Sequence, residues 1–115
     1  MKFTNDIIKN SIVILRLEGR LDISNAAEFE SLLDTLRKLY PAHNFIIDLT
    51  KVDYLSSSAL RIIVTAYRKL TEIEFSLVLL NPTRMCARIF EVTKINDFID
   101  IFYFEKEAID SFTVK

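Results

Sequence analysis

The chain has 115 residues, of which half are apolar and 27% are charged, so it can form one folded domain and is not a disordered chain. Its net charge of −1 argues against direct binding to nucleic acid or to an acidic membrane surface. One cysteine excludes an internal disulfide, and one histidine argues against a histidine-based metal site.

The distribution of glycine and of apolar residues excludes further classes of protein. Gly19 is the only glycine, which excludes a P-loop and a dinucleotide-binding fingerprint. The apolar runs are too short to cross a bilayer, and the residues after Met1 contain no apolar signal core. We therefore expect a single domain over residues 1–115 that is cytoplasmic and not inserted in a membrane.

Alternating apolar segments predict the order β-β-α-β-α-β-α-β-α. Strands are expected at residues 3–8, 12–17, 45–49, 74–80 and 98–103. Helices are expected at residues 25–40, 57–70, 81–92 and 105–112. The first two strands are joined by a short link that suits an antiparallel hairpin, whereas right-handed crossovers would make several later strands parallel. The prediction is an α/β domain with a mixed central sheet.

Local signals set the expected element ends. Gly19 is expected to end the second strand, and Asn25 is expected to cap the first helix in a capping box with Glu28. Asn81 and Pro82 resemble an N-cap followed by proline at the first helical position. The apolar stripe of the first helix comprises Phe29, Leu32, Leu33, Leu36 and Tyr40, and that of the second comprises Leu60, Ile63, Val64, Tyr67 and Leu70.

Residues that could form a catalytic set are few. His43 lies in a predicted loop with no suggested partner, and Cys86 has the helical spacing of a core thiol. Asp48 and Asp53 flank a predicted strand end, but two nearby acids alone indicate little. No nucleophile, base and metal set can be assembled, so we expect neither enzymatic activity nor a cofactor or metal site.

The segment from Asp48 to Arg61 is the unusual part of the sequence. A strand is expected to end, a short loop to follow, and Ser56, Ser57 and Ser58 to open a helix. These serines could simply be helix caps and polar loop residues. Alternatively, a phosphate on Ser57 would be tolerated at a helix N-terminus and would act as a charge switch.

The second helix has a possible surface platform. Ala59, Ile62 and Ala66 fall to one side of its predicted core face, bordered by Lys69. These residues could form a shallow docking surface for another protein. They could equally lie at the margin of the core, with Ile62 as an isolated surface residue.

Three segments resemble the STAS family (sulfate transporter and anti-sigma factor antagonist domains), especially its free-standing anti-sigma factor antagonists. Residues 17–22, followed by Ser24-Asn25, look like its Gly-x-Leu-Asp turn. Residues 45–61 are similar to its central strand, loop and Asp-Ser-Ser/Thr-Gly-Leu signature. Residues 79–95 resemble its final strand-to-helix segment.

The resemblance implies a partner switch. An unphosphorylated antagonist would bind an anti-sigma factor that is also a serine kinase, and a phosphatase would reset the phosphorylated form. The phosphorylated serine matches Ser57 and the next Ser/Thr matches Ser58, while Asp22 matches the acidic residue that faces this site. Ser56 replaces the signature Asp, and Ala59 replaces the signature Gly.

The matched residues and the platform together give the predicted partner surface: Asp22, Ser24, Asn25, Ser56, Ser57, Ser58, Ala59, Ile62 and Ala66. Two other functions stay open. STAS domains also serve as constitutive accessory subunits or scaffold modules, for example in lipid-transport ABC complexes. Some are thought to bind guanine nucleotides, which leaves weak binding near Asp22 and Ser57 as a further possibility.

Overall fold

Within residues 1–112, which are the part of the chain that the computed structural model describes, strands and helices alternate as the sequence predicts. The strands are β1 (Lys2–Ile8), β2 (Ile12–Leu21), β3 (Asn44–Leu55), β4 (Leu77–Leu80) and β5 (Ile101–Phe102). The helices are α1 (Ala26–Leu39), α2 (Ser57–Glu72), α3 (Arg84–Thr93) and α4 (Glu105–Asp110), and a 3-10 helix spans Ile95–Asp97.

The strands form one mixed sheet in the order β1-β2-β3-β4-β5. Only the β1–β2 hairpin is antiparallel among the described strands, and the three other pairings are parallel. Each crossover steps to the next strand in the same direction, and right-handed crossovers therefore place α1, α2 and α3 on one face. The predicted α/β class and mixed sheet are confirmed.

Both faces of the sheet are buried. One face carries Val13, Leu15, Phe45, Ile47 and Leu79, which pack against α1, α2 and α3. The other face carries Ile12, Ile14, Ile46, Val78 and Leu80, which pack against Ala108 of α4. Burial on both faces explains why these strands are continuous apolar runs in the sequence.

Strands β2 and β3 extend beyond the expected ends. Gly19 was expected to end β2, but the strand continues to Leu21 with Gly19 at φ +101°, a conformation that favours glycine. β3 was expected to end near Leu49, but Val52 and Leu55 are buried and keep it in the sheet. The ladder between the two strands shifts register between Arg16 and Glu18 and again between Gly19 and Arg20. These irregularities interrupt the alternation that identifies a strand in sequence.

Three other local expectations were wrong. Asn25 occupies the N-cap position of α1, but its side chain makes no capping hydrogen bond, so the predicted capping box is absent. Helix α3 begins later than expected, because Thr83 is the N-cap and its hydroxyl accepts from the Cys86 N–H at 3.4 Å. Glu74 has φ +67° and turns the chain, so β4 begins only at Leu77.

Candidate functional site

The carboxyl ends of β2 and β3 bring most of the predicted site residues together. Leu21 pairs with Leu55 in the parallel ladder, and the Ser56 N–H donates to the Leu21 carbonyl at 2.8 Å. The turn after β2 therefore lies beside the start of α2. The residues gathered at this edge of the sheet are Asp22, Ser24, Asn25, Ser56, Ser57 and Ser58.

Hydrogen bonds hold the turn after β2 in shape. The Asp22 carboxylate accepts from the Ser24 N–H at 3.0 Å and from the Ser24 hydroxyl at 2.6 Å. Asn25 accepts from the Asp22 N–H at 3.0 Å and donates to the Arg20 carbonyl at 2.8 Å, which is why it does not cap α1. The hydrogen bond from the Ser24 hydroxyl lowers the pKa of Asp22, so this carboxylate stays ionised at neutral pH.

The three serines have different surroundings. Ser56 is the N-cap of α2, and its hydroxyl accepts from the Ala59 N–H at 3.2 Å. Ser57 is the first residue of the helix and is exposed, and no side chain or backbone group of residues 1–112 hydrogen-bonds to its hydroxyl. Ser58 is half-buried. The capping role therefore belongs to Ser56, and of the other two serines Ser57 is the exposed one.

The predicted platform on α2 is largely internal. Ala59 is fully buried and Ala66 is 5% exposed, so both belong to the core. Ile62 is half-buried and packs against the same core. Of the two interpretations of these residues, core packing is correct for Ala59 and Ala66, and neither presents a surface to a partner. The helix is rotated from the expected orientation, and its buried residues are Ala59, Leu60, Ile63, Ala66 and Leu70.

A groove between α2 and α3 adjoins Ser57, and it was not predicted from the sequence. Its cavity volume is about 790 Å³, and we call it the α2–α3 groove. Its lining comprises Tyr54, Leu55, Ser57, Leu60, Arg84, Met85, Arg88, Ile89, Val92 and Thr93. The sequence does contain a signal for it, because Met85, Ile89 and Val92 form a second apolar stripe on α3 beside the core stripe of Cys86 and Phe90.

The turn after β2 is linked to this groove through one aromatic contact. The guanidinium of Arg20 lies 4.5 Å from the centroid of the Tyr54 ring, and the Arg20 Nε lies 3.8 Å from the Asp22 carboxylate. Tyr54 in turn lines the α2–α3 groove. The acidic turn, the free Ser57 hydroxyl and the groove therefore form one continuous surface.

The residues considered for catalysis do not form a catalytic set. Cys86 is fully buried, as predicted for a core thiol, and its burial raises the pKa of the thiol. His43 is half-buried, and its ring packs against that of Tyr40. Asp48 is buried and paired with Arg16, whereas Asp53 is exposed on β3.

No cluster of three or more His, Cys, Asp or Glu side chains within residues 1–112 could hold a metal ion. In that same part of the chain, every helix is too short or too polar to cross a membrane.

The sequence model of the STAS domain family matches residues 4–108 of the chain. The chain belongs to the STAS family. An anti-sigma-B factor antagonist from Listeria monocytogenes is 38% identical over 55 residues, which are 48% of this chain and 48% of that protein. The chain thus matches about half the length of that relative. BtrV from Bordetella bronchiseptica, a proposed anti-sigma factor antagonist, is 29% identical over 102 residues, which are 89% of this chain and 84% of BtrV.

Solved structures of anti-sigma factor antagonists have the same fold. Unphosphorylated SpoIIAA, an anti-sigma factor antagonist, superposes with a TM-score of 0.83 at 20% identity, covering 97% of this chain and 96% of SpoIIAA. An anti-sigma factor antagonist from Mycobacterium paratuberculosis superposes with a TM-score of 0.86 at 17% identity, covering 96% of this chain and 92% of that protein. At these identities the similarity shows the fold alone, and it confirms the predicted STAS-like architecture.

Proposed function

We propose that this STAS domain is an anti-sigma factor antagonist whose partner binding is controlled by phosphorylation of Ser57. The observation that carries the proposal is the Ser57 hydroxyl, which is exposed at the first position of α2 and has no hydrogen bond from residues 1–112. A kinase could reach this hydroxyl without unfolding the domain. The sequence matches to antagonists of anti-sigma factors give the partner class.

The proposed partner is an anti-sigma factor that is also an ATP-using serine kinase. It would bind the domain when Ser57 is unphosphorylated and would release its sigma factor as a result. A phosphatase would restore the unphosphorylated form. The role is cytoplasmic, and it requires no catalysis, cofactor, metal ion or nucleic-acid contact from the domain itself.

The surroundings of Ser57 favour a switch that acts on binding rather than on folding. A phosphate would add a charge of about −1.5 to −2 at neutral pH. Helix α2 has no acidic residue in its first turn, so a negative charge at its N-terminus would interact favourably with the helix dipole. The added charge would instead disturb a partner surface that fits the unmodified serine and the ionised Asp22.

The two departures from the family signature are compatible with this proposal. Ser56 stands where the signature has Asp, and it still caps α2 through the hydrogen bond from the Ala59 N–H. Ala59 stands where the signature has Gly, but its methyl group is fully buried. The extra methyl therefore adds no bulk to the surface beside Ser57.

The proposal can be tested by affinity capture from the native cell, with wild type, Ser57→Ala and Ser57→Glu as parallel baits and mass spectrometry as the readout. We expect wild type and Ser57→Ala to recover a kinase-like anti-sigma factor, and Ser57→Glu to lose it. The recovered protein would then be purified and incubated with ATP and each serine variant. Ser56→Ala and Ser58→Ala are the matched controls, and both should still be phosphorylated.

Two results would contradict the proposal. Phosphate incorporation that persists in Ser57→Ala would place the modified residue elsewhere. Equal recovery of one transporter ATPase by all three baits would indicate the alternative function, a constitutive accessory subunit in which the serines serve mainly to begin α2.

A further inference from the structure

We propose that the α2–α3 groove binds a segment of the protein partner in which apolar side chains are flanked by acidic ones. This inference rests on the proposed function, because it names the chemistry of the partner segment that would lie beside Ser57. Its basis is the combination of an apolar floor and a basic rim in one groove next to that serine.

The floor of the groove is apolar and accessible. Leu55 and Leu60 contribute from the β3–α2 side, and Ile89 contributes from α3. Met85 is 53% exposed and Val92 is 72% exposed, although both are large apolar residues on an otherwise amphipathic helix. Exposed apolar side chains that line a concave surface are typical of protein contact sites.

The rim of the groove is basic, and its charges have no partner in the described structure. Arg84 and Arg88 both line the groove, and no carboxylate of residues 1–112 lies within 4.0 Å of either guanidinium. The chain as a whole has a net charge of −1, so this local pair is not a consequence of a basic composition. Charge complementarity therefore favours a partner segment with carboxylates.

The position of Arg84 is unfavourable for α3 itself. Arg84 is the first residue of the helix, where the helix dipole favours negative charge, and the first turn contains no acidic residue. Arg88 lies one turn later, so the two like charges are neighbours on the helix surface. Arg84 does not help the helix, so binding a partner accounts for this arginine better than helix stability does. Arg88 lies three residues before Glu91, which is a favourable neighbour on the helix surface.

The groove also offers a mechanism for release. Ser57 lines it together with the two arginines, so a phosphate on Ser57 would introduce an anion at the same basic rim. That anion would compete with the acidic side chains of the partner segment. Phosphorylation would thereby weaken binding without any change in the fold of the domain.

The decisive test uses the purified anti-sigma factor and measures its affinity by isothermal titration calorimetry. Charge reversal by Arg84→Glu with Arg88→Glu should weaken binding about tenfold or more. The matched control is Lys38→Glu with Arg68→Glu, which makes the same charge change at two exposed residues outside the groove lining. This control pair should change the affinity less than about threefold. Met85→Ser and Val92→Ser should each weaken binding while leaving the circular dichroism melt unchanged, because both residues are more than half exposed.

A photo-cross-linking experiment identifies the segment directly. With Val92 replaced by benzoylphenylalanine, the cross-linked partner peptide should contain apolar residues flanked by Asp or Glu. Cross-linking to a basic segment, or groove variants that bind like the control pair, would overturn the inference. It would also be overturned if sedimentation showed that the groove variants abolish only self-association, because the occupant would then be a second copy of this chain.

The Ser57 variants in the same assay separate the two proposals. If Ser57→Glu loses binding while all groove variants bind like wild type, the switch stands and the groove inference is wrong. If the groove variants lose binding while Ser57→Glu binds like wild type, the groove inference stands and the phosphorylation switch is wrong.

Discussion

Ser56 and Ser57 are adjacent, yet their replacement by alanine should affect stability very differently. The Ser56 hydroxyl accepts the N–H of Ala59 at 3.2 Å and is the side-chain cap of α2. Loss of such a cap costs about 1 kcal/mol. With an unfolding entropy of about 2.1 cal/mol/K per residue over 115 residues, this loss corresponds to a decrease in Tm of about 4 °C for Ser56→Ala.

Ser57→Ala should leave the free energy of unfolding within about 0.5 kcal/mol of wild type, because the Ser57 side chain is exposed and has no hydrogen bond from residues 1–112. Parallel thermal and urea melts followed by circular dichroism would measure both variants, and Ser56→Asp is the control because aspartate is an equally good cap. A Tm for Ser57→Ala as low as that of Ser56→Ala would refute the assignment of the cap to Ser56.

Three further predictions concern residues away from the partner surface. Burial raises the pKa of the Cys86 thiol, so iodoacetamide should label this residue only in urea, and rapid labelling in native buffer would contradict this. The contribution of Cys86 to stability should decrease as pH rises through the usual thiol range, because the folded state then resists loss of the thiol proton. Arg16→Met should lower the free energy of unfolding by about 1–3 kcal/mol in urea melts, because it leaves the buried Asp48 and the Glu105 carboxylate without their shared guanidinium. An unchanged urea midpoint would show that these contacts add nothing to stability. Gly19→Ala should lower the free energy of unfolding by about 1–2 kcal/mol in the same urea melts, and a wild-type midpoint would argue against backbone strain. The cause is its φ of +101° rather than crowding, since no atom of residues 1–112 other than those of its chain neighbours lies within 4 Å of an added Cβ.

The order of the elements could be predicted because most of them contain a strong local pattern. Strand β2 begins with an apolar run, and α1 has a clear stripe that includes Phe29, Leu33 and Leu36. The second half of β3 has no such pattern, because the register shifts opposite β2 disturb the alternation of exposed and buried residues. Its place in the sheet depends on long-range pairing with β2, which local sequence does not contain.

The candidate site could be predicted only in part, for a similar reason. Resemblance to the family predicts that Asp22 faces Ser57. The parallel pairing of Leu21 with Leu55 is the physical reason that the segments containing these two residues lie side by side. The predicted core face of α2 lies one position away from the observed one, so the sequence leaves a surface position and the core margin both open for Ala59, which is fully buried. The α2–α3 groove requires the packing of two helices against β3, and its shape follows from that packing rather than from either helix alone.

The two neighbouring serines differ in what they contribute to the fold, and under the proposed function Ser57 would have the regulatory role. The Ser56 hydroxyl caps the start of α2, and the Ser56 N–H donates a hydrogen bond to the Leu21 carbonyl at the end of β2. These two hydrogen bonds fix the backbone at the site, and phosphorylation of Ser57 would leave both of them intact. Ser57 contributes no side-chain bond within residues 1–112, and its modification therefore removes nothing from the fold. A charge added at this residue is felt at the surface that includes Asp22 and the arginines of the α2–α3 groove. Under the proposed function, a partner that binds this surface would respond to one phosphate while the domain itself keeps the same structure.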